Sequence, residues 1–104
     1  MFSYELADEV IRRIISNFSP MMIVVFGSAA RHEAKEDSDL DILVVMETEL
    51  DLIHRGVDIR RTLRDIVMPM DIIVVTPSEY EEVKDDPFDF VHEIMRTGII
   101  AYEA

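Results

Sequence analysis

Three aspartates stand at the start of apolar, strand-like segments. Asp39 and Asp41 open the run that continues to Met46, and Asp71 opens the run that ends at Val75. Because side chains alternate along a strand, Asp39 and Asp41 should point to one face. If the two runs are neighbouring strands, Asp71 joins them, and three converging carboxylates favour a cation such as Mg²⁺, which prefers oxygen ligands. The alternative is that each aspartate simply faces water.

A glycine–serine turn precedes these acids and indicates phosphate binding. Gly27 ends the apolar run from Met22 to Phe26, and Ser28 is placed to begin a helical turn. Free N–H groups and a hydroxyl in such a turn can bind an anion such as a triphosphate. Arg31 is a secondary candidate for the same phosphates, although a loop arginine can equally be a solvated charge.

Length and composition limit the class of protein. With 104 residues, we expect a single domain over 1–104. The absence of cysteine excludes thiolate metal sites and thiol catalysis, and the net charge of −12 argues against gripping nucleic acid through its phosphates. The apolar runs are too short to span a bilayer, and the first residues lack the basic region of a signal peptide. We therefore expect a soluble, cytoplasmic protein.

The apolar pattern predicts the element order α, β, β, α, β, α, α, β. The predicted strands cover 22–26, 39–46, 71–75 and 99–102, and the first helix covers 4–18. A middle helix is expected between Thr48, which forms a capping-box pattern with Asp51, and Pro69. A second capping box, Thr76 with Glu79, and an Asp86-Pro87 signal predict two short helices before Gly98.

Loop length fixes part of the expected topology. The strands over 22–26 and 39–46 are joined by too few residues for a helical crossover, so they should pair antiparallel. The fold class is then α/β (α+β), with a small mixed β-sheet and helices packed on it.

The string GSAARHEAKEDSDLDILVV, over residues 27–45, resembles the DNA polymerase β-like nucleotidyltransferase superfamily and its smallest branch, the minimal nucleotidyltransferase proteins. The resemblance extends over nearly the whole chain, including the segment Met70-Asp71-Ile72. It implies a nucleotidyltransferase fold in which the carboxylates of Asp39 and Asp41 hold two Mg²⁺ ions. It implies further that Asp71 helps to hold the ion that activates the attacking hydroxyl, and assists proton removal.

The same resemblance assigns the β- and γ-phosphates to Gly27 and Ser28. It also exposes one departure, because members often carry a glycine where this chain has His32. That departure leaves the loop geometry open and does not touch the acidic residues.

The activity implied by this resemblance is Mg²⁺-dependent transfer of AMP from ATP to a hydroxyl, with release of pyrophosphate. Minimal nucleotidyltransferases commonly serve as antitoxins that adenylylate a tyrosine of a HEPN-domain ribonuclease toxin, in pairs of the type VII kind. A partner protein's tyrosine is therefore the expected acceptor. One alternative is an antitoxin that neutralises its partner by binding alone. Another is a small-molecule acceptor, for which no second domain is evident. Exposed apolar surface could be covered by the toxin or by a homo-oligomer.

Overall fold

Four short strands form one mixed sheet in the computed structural model, which describes residues 2–104. The strands are β1 (Met22–Phe26), β2 (Leu40–Val45), β3 (Met70–Val75) and β4 (Ile99–Glu103). They lie in the order β3-β2-β1-β4, with β1 antiparallel to β2 and β4, and β2 parallel to β3. The predicted mixed sheet and the antiparallel pairing of the first two strands are confirmed.

Within residues 2–104, four α-helices and one 3₁₀ turn complete the fold. They are α1 (Tyr4–Phe18), the 3₁₀ turn Gly27–Ala29, α2 (Val57–Thr62), α3 (Pro77–Val83) and α4 (Phe90–Thr97). The element order matches the predicted one. Across residues 2–104, no helix combines the length and the apolarity that a membrane crossing would need.

The two faces of the sheet are covered by different helices. On one face, Ile42 and Val44 pack with residues of α1 and α2 such as Ile14. On the other face, Leu43 and Val45 pack with Val91 and Ile94 of α4. Because β2 is covered on both sides and side chains alternate along a strand, each residue of β2 can be placed on one face or the other. The odd-numbered residues of β2, which include Asp41, therefore belong to the face that carries α3 and α4.

The middle helix is much shorter than predicted. It begins at Val57 with Gly56 as its N-cap, and the Thr48 hydroxyl accepts a hydrogen bond from Leu50 N–H rather than closing a capping box. Leu52, which lies within the range expected for this helix, is 74% exposed. Gly56 disfavours a helix that continues through it, because glycine is unfavourable in a helix interior. The segment before Gly56 is instead held against α3 through Arg55.

Arg55 joins this segment to α3. Its guanidinium donates to both carboxylate oxygens of Glu79 and to the Leu50 carbonyl, and the side chain is only 10% exposed. Glu79 also accepts from the Thr76 N–H and belongs to the predicted capping box, which is confirmed. These bonds hold residues 50–55 in a series of turns instead of a helix.

The last helix also starts later than its signal suggested. Asp86 accepts from the Phe88 N–H and forms a turn, whereas Asp89 caps α4 by accepting from Val91 N–H. Phe88, which directly follows the Asp86-Pro87 signal, is 98% exposed. Gly98 ends α4 as predicted and leads directly into β4.

Candidate active site

Parallel pairing of β2 and β3 brings two of the predicted acids together. Asp41 and Asp71 are register partners, as are Leu40 with Met70 and Ile42 with Ile72. Register partners in adjacent strands direct their side chains to the same face of the sheet. Asp41 and Asp71 thus share the face that α3 and α4 cover farther along the strands.

The negative charges of Asp71 and Asp39 act on the Asp41 carboxyl. Burial raises the pKa of the Asp41 carboxyl above its ordinary value, and the negative charges of Asp71 and then Asp39 raise it further. Asp39 and Asp71 are exposed, while Asp41 is half-buried. Asp41 is therefore the member of the group whose negative charge is least well solvated.

This acidic group is not a preassembled metal centre. In the part of the chain that the structure describes, no three His, Asp or Glu side chains stand close enough together to hold an ion. The donor set nevertheless suits a hard divalent cation, because carboxylate oxygens are its preferred ligands and its charge would offset the repulsion felt by Asp41.

Gly27 lies directly against Asp41. Its φ is +70°, in the left-handed region that glycine favours, and a Cβ at this position would overlap Oδ2 of Asp41. A side chain at residue 27 would therefore displace the carboxylate. The close contact joins the glycine–serine turn to the acidic strand, which the sequence spacing alone could only suggest.

The rest of the turn is held by its own backbone. The Ser28 carbonyl accepts hydrogen bonds from the N–H groups of Arg31 and Glu33, at 3.2 and 2.9 Å. The Arg31 side chain is exposed and pairs with Glu33 at 3.2 Å. Arg31 would have to leave that exposed pair to reach a phosphate, and such pairs are weak.

His32 adopts the backbone conformation that a glycine would take. Its φ is +56°, in a region that non-glycine residues visit uncommonly. Its N–H donates to the Ala29 carbonyl at 3.3 Å. Although His32 carries a side chain, the turn keeps the positive φ that a glycine would adopt there.

Phe26 is a neighbour of the site that the motif did not single out. It is the register partner of Asp41 in β1 and packs with Leu43 on the same face. The alternation of Met22, Val24 and Phe26 within β1 could have identified it, because all three share that face.

Comparison with known families assigns the class of protein. The sequence pattern of the family "Polymerase beta, Nucleotidyltransferase" matches residues 9–104. The chain belongs to this family. Its fold and size fit a minimal nucleotidyltransferase of the polymerase β-like superfamily.

Solved structures share the fold, and two of them illustrate it. One is a protein from Sulfolobus solfataricus with a provisional assignment as a nucleotidyltransferase; it is 25% identical, with a TM-score of 0.64 over 95% of this chain and 78% of that chain. The other is a toxin–antitoxin structure with AMP-PNP; it is 17% identical, with a TM-score of 0.65 over 93% of this chain and 73% of that chain. No curated protein sequence matches the chain.

Proposed function

We propose that residues 1–104 act as one nucleotidyltransferase domain that transfers AMP from ATP to a hydroxyl of a partner protein in the cytoplasm. The acceptor hydroxyl oxygen attacks the α-phosphorus, the bond from that phosphorus to the bridging oxygen breaks, and pyrophosphate leaves. The observation that carries this proposal is the alignment of Asp41 with Asp71, with Gly27 in contact with Asp41.

Each site residue has a role in this proposal. Asp39, Asp41 and Asp71 would hold Mg²⁺, two ions in all, which when bound supply positive charge for the triphosphate and acidify the acceptor hydroxyl. Asp71 is exposed and can accept the proton that the hydroxyl loses. Gly27 and Ser28 bind the β- and γ-phosphates through the turn, and Arg31 is available as a further phosphate ligand.

For the acceptor, we propose a tyrosine of a HEPN-type toxin, so that this chain is the antitoxin of a pair. Family membership supports nucleotidyl transfer. The toxin–antitoxin structure with AMP-PNP shares only the fold at 17% identity, so it supports this choice as an analogy.

A binding-only antitoxin is the second candidate. The net charge of −12 favours this reading, because it would complement a basic partner without any chemistry. The presence of Ser28 together with Asp39, Asp41 and Asp71 favours the enzyme instead, since binding alone requires none of them.

Intact-mass measurement separates the two candidates. The purified chain is incubated with Mg²⁺, ATP and the protein encoded beside it, and both masses are recorded. We expect whole AMP units on the partner, lost in Asp41→Asn and Asp71→Asn and retained in Glu82→Gln, which removes one negative charge from an exposed position on α3. A tight complex with no mass change would assign the binding-only function.

A further inference from the structure

An apolar groove lies beside the start of the outer strand β4, on the sheet face that carries α1, and extends to Ala29, Ala30 and His32 of the glycine–serine turn. It has a volume of about 220 Å³ and lies between Tyr4, Ala7 and Ile11 of α1 and Ile99 and Ala101 of β4. Ile99 is the register partner of Val25, whose side chain packs toward α1. The groove therefore lies on the opposite face of the sheet from Asp41.

β4 itself is an exposed strand edge. It is an outermost strand of the sheet as described for residues 2–104, with β1 on one side. Ile99 and Ile100 are each 48% exposed and point to opposite faces, and Glu103 is the strand's only charged residue. Natural outer strands are normally protected by lysine, proline or a covering element, because their free N–H and C=O groups can pair with another chain.

The charges around the groove are negative. Asp8 lines it and Glu5 is exposed on the same helix, whereas Glu103, the register partner of Met22, belongs to the opposite face of the sheet. No lysine or arginine is found among its lining residues in the described chain. A second copy of this chain also has a net charge of −12 and would be repelled by this surface, whereas a basic segment would be attracted to it.

We propose that the β4 edge and this groove form a docking site for an extended segment of a partner protein that is basic and carries apolar residues at alternate positions. The segment pairs with β4 as a fifth strand. Its alternate side chains fill the groove between α1 and β4, and its flanking lysines or arginines lie near Asp8 and Glu5. Main-chain hydrogen bonds provide affinity in this mode, and the side-chain pockets provide selectivity.

The proposal does not depend on nucleotidyl transfer, so its test contains neither ATP nor Mg²⁺. The probe is a synthetic peptide of alternating valine and threonine with two lysines at each end. Binding to the full chain is followed by the backbone amide signals of the ¹⁵N-labelled protein. We expect the signals of β4, Ala7 and Ile11 to shift, and the amides of β4 to exchange more slowly with solvent.

Two substitutions test the face of the sheet that is used. Ile99→Lys places a charge in the groove and should weaken peptide binding at least about tenfold, whereas Ile100→Lys, on the opposite face, should weaken it less. Val67→Lys makes the same change at a position that is 83% exposed and outside the groove, and it should leave binding unchanged. Ile99→Thr, which keeps strand propensity, replaces Ile99→Lys if the lysine variant does not fold.

A second peptide tests the charge argument. With glutamates in place of the lysines, we expect binding at least about tenfold weaker. Equal binding of the two peptides, shifts confined to α3 and α4, or no binding at millimolar lysine peptide would each overturn the proposal. A dimer in sedimentation equilibrium that Ile99→Lys dissociates would assign the edge to a second copy instead.

Discussion

Asp41 of β2 and Asp71 of β3 are direct partners in a parallel register, so two acids separated by a helix in the sequence lie side by side on one face of the sheet. Asp41 is the more buried of the two. This arrangement costs stability when no cation is present, because a half-buried charge faces a second negative charge.

Removing the Asp41 charge should stabilise the cation-free protein. In the presence of a chelator, we expect Asp41→Asn to raise the free energy of unfolding by about 1 kcal/mol, since burial and the charges of Asp71 and Asp39 all oppose its ionised form. Urea unfolding measures the change, with Glu82→Gln as the charge-matched control. A decrease in stability specific to Asp41→Asn would contradict the assigned repulsion.

Gly27→Ala should damage both stability and the site. The substitution forces a side chain into a left-handed conformation and into Oδ2 of Asp41, at a cost of about 1–3 kcal/mol. The matched control is Gly56→Ala, because Gly56 has a φ of −83° and its added Cβ would meet only ordinary contacts at 3.6 and 3.9 Å. We expect the control to stay within about 0.5 kcal/mol, since chain entropy and capping preference oppose each other. Similar losses in the two variants would disprove a special requirement at Gly27.

The Arg55–Glu79 pair should make stability depend on pH in the acid range. The Arg55 guanidinium, followed by the Thr76 N–H, lowers the pKa of Glu79 from 4.5 to about 2. Because the folded-state pKa is depressed, this contribution is fully present above the unfolded value near 4.5 and is lost as the pH falls toward 2. It should therefore not vary between pH 6 and 8.

Glu79→Gln tests this directly. With Glu79 39% exposed, we expect a loss of about 1 kcal/mol at pH 7 after solvent screening. The difference from the unsubstituted chain, measured by urea unfolding, should shrink when the pH is lowered from 5 to 2.5. Glu81→Gln, which breaks the exposed pair with Lys84 on the same helix, is the control and should have little effect. A Glu79→Gln deficit that is constant with pH would exclude the charged pair as its cause.

Gly98 should be intolerant of a side chain although its φ of −84° is ordinary. A Cβ there would lie 2.6 Å from the Ile94 carbonyl, 2.8 Å from Cγ1 of Val24 and 2.8 Å from the Val25 carbonyl. We expect Gly98→Ala to lower the free energy of unfolding by about 1–3 kcal/mol, because two of these neighbours are backbone atoms that cannot move without distorting the chain. Thermal unfolding measures it, and a loss no larger than that of Gly56→Ala would refute this packing argument.

Local patterns were sufficient where one segment determined its own structure. The continuous apolar runs identified β1, β2 and β3, and the Thr76-Pro77-Ser78-Glu79 string identified the start of α3. The sequence also predicted that Asp71 would lie near Asp41 if their two strands were neighbours. The parallel register of β2 and β3 confirms that they are.

The errors arose where distant residues decide the conformation. The helix predicted after Thr48 is replaced by turns because Arg55 bonds to Glu79, a partner 24 residues away that no local window contains. The contact between Gly27 and Asp41 likewise depends on antiparallel pairing of β1 with β2. Residue type indicated a glycine turn, but not which side chain fills the space beside it.

The two aligned acids differ in how firmly their strands are held. β2, which carries Asp41, has a neighbouring strand on each side, whereas β3, which carries Asp71, lies at the outside of the sheet. Outer elements open by local unfolding at lower free energy than the centre of a fold. Asp71 should therefore leave its partner in brief fraying events while Asp41 stays fixed, visible as faster amide exchange in β3 than in β2. On heating, the Asp71 carboxylate should therefore leave the acidic group before the chain as a whole unfolds.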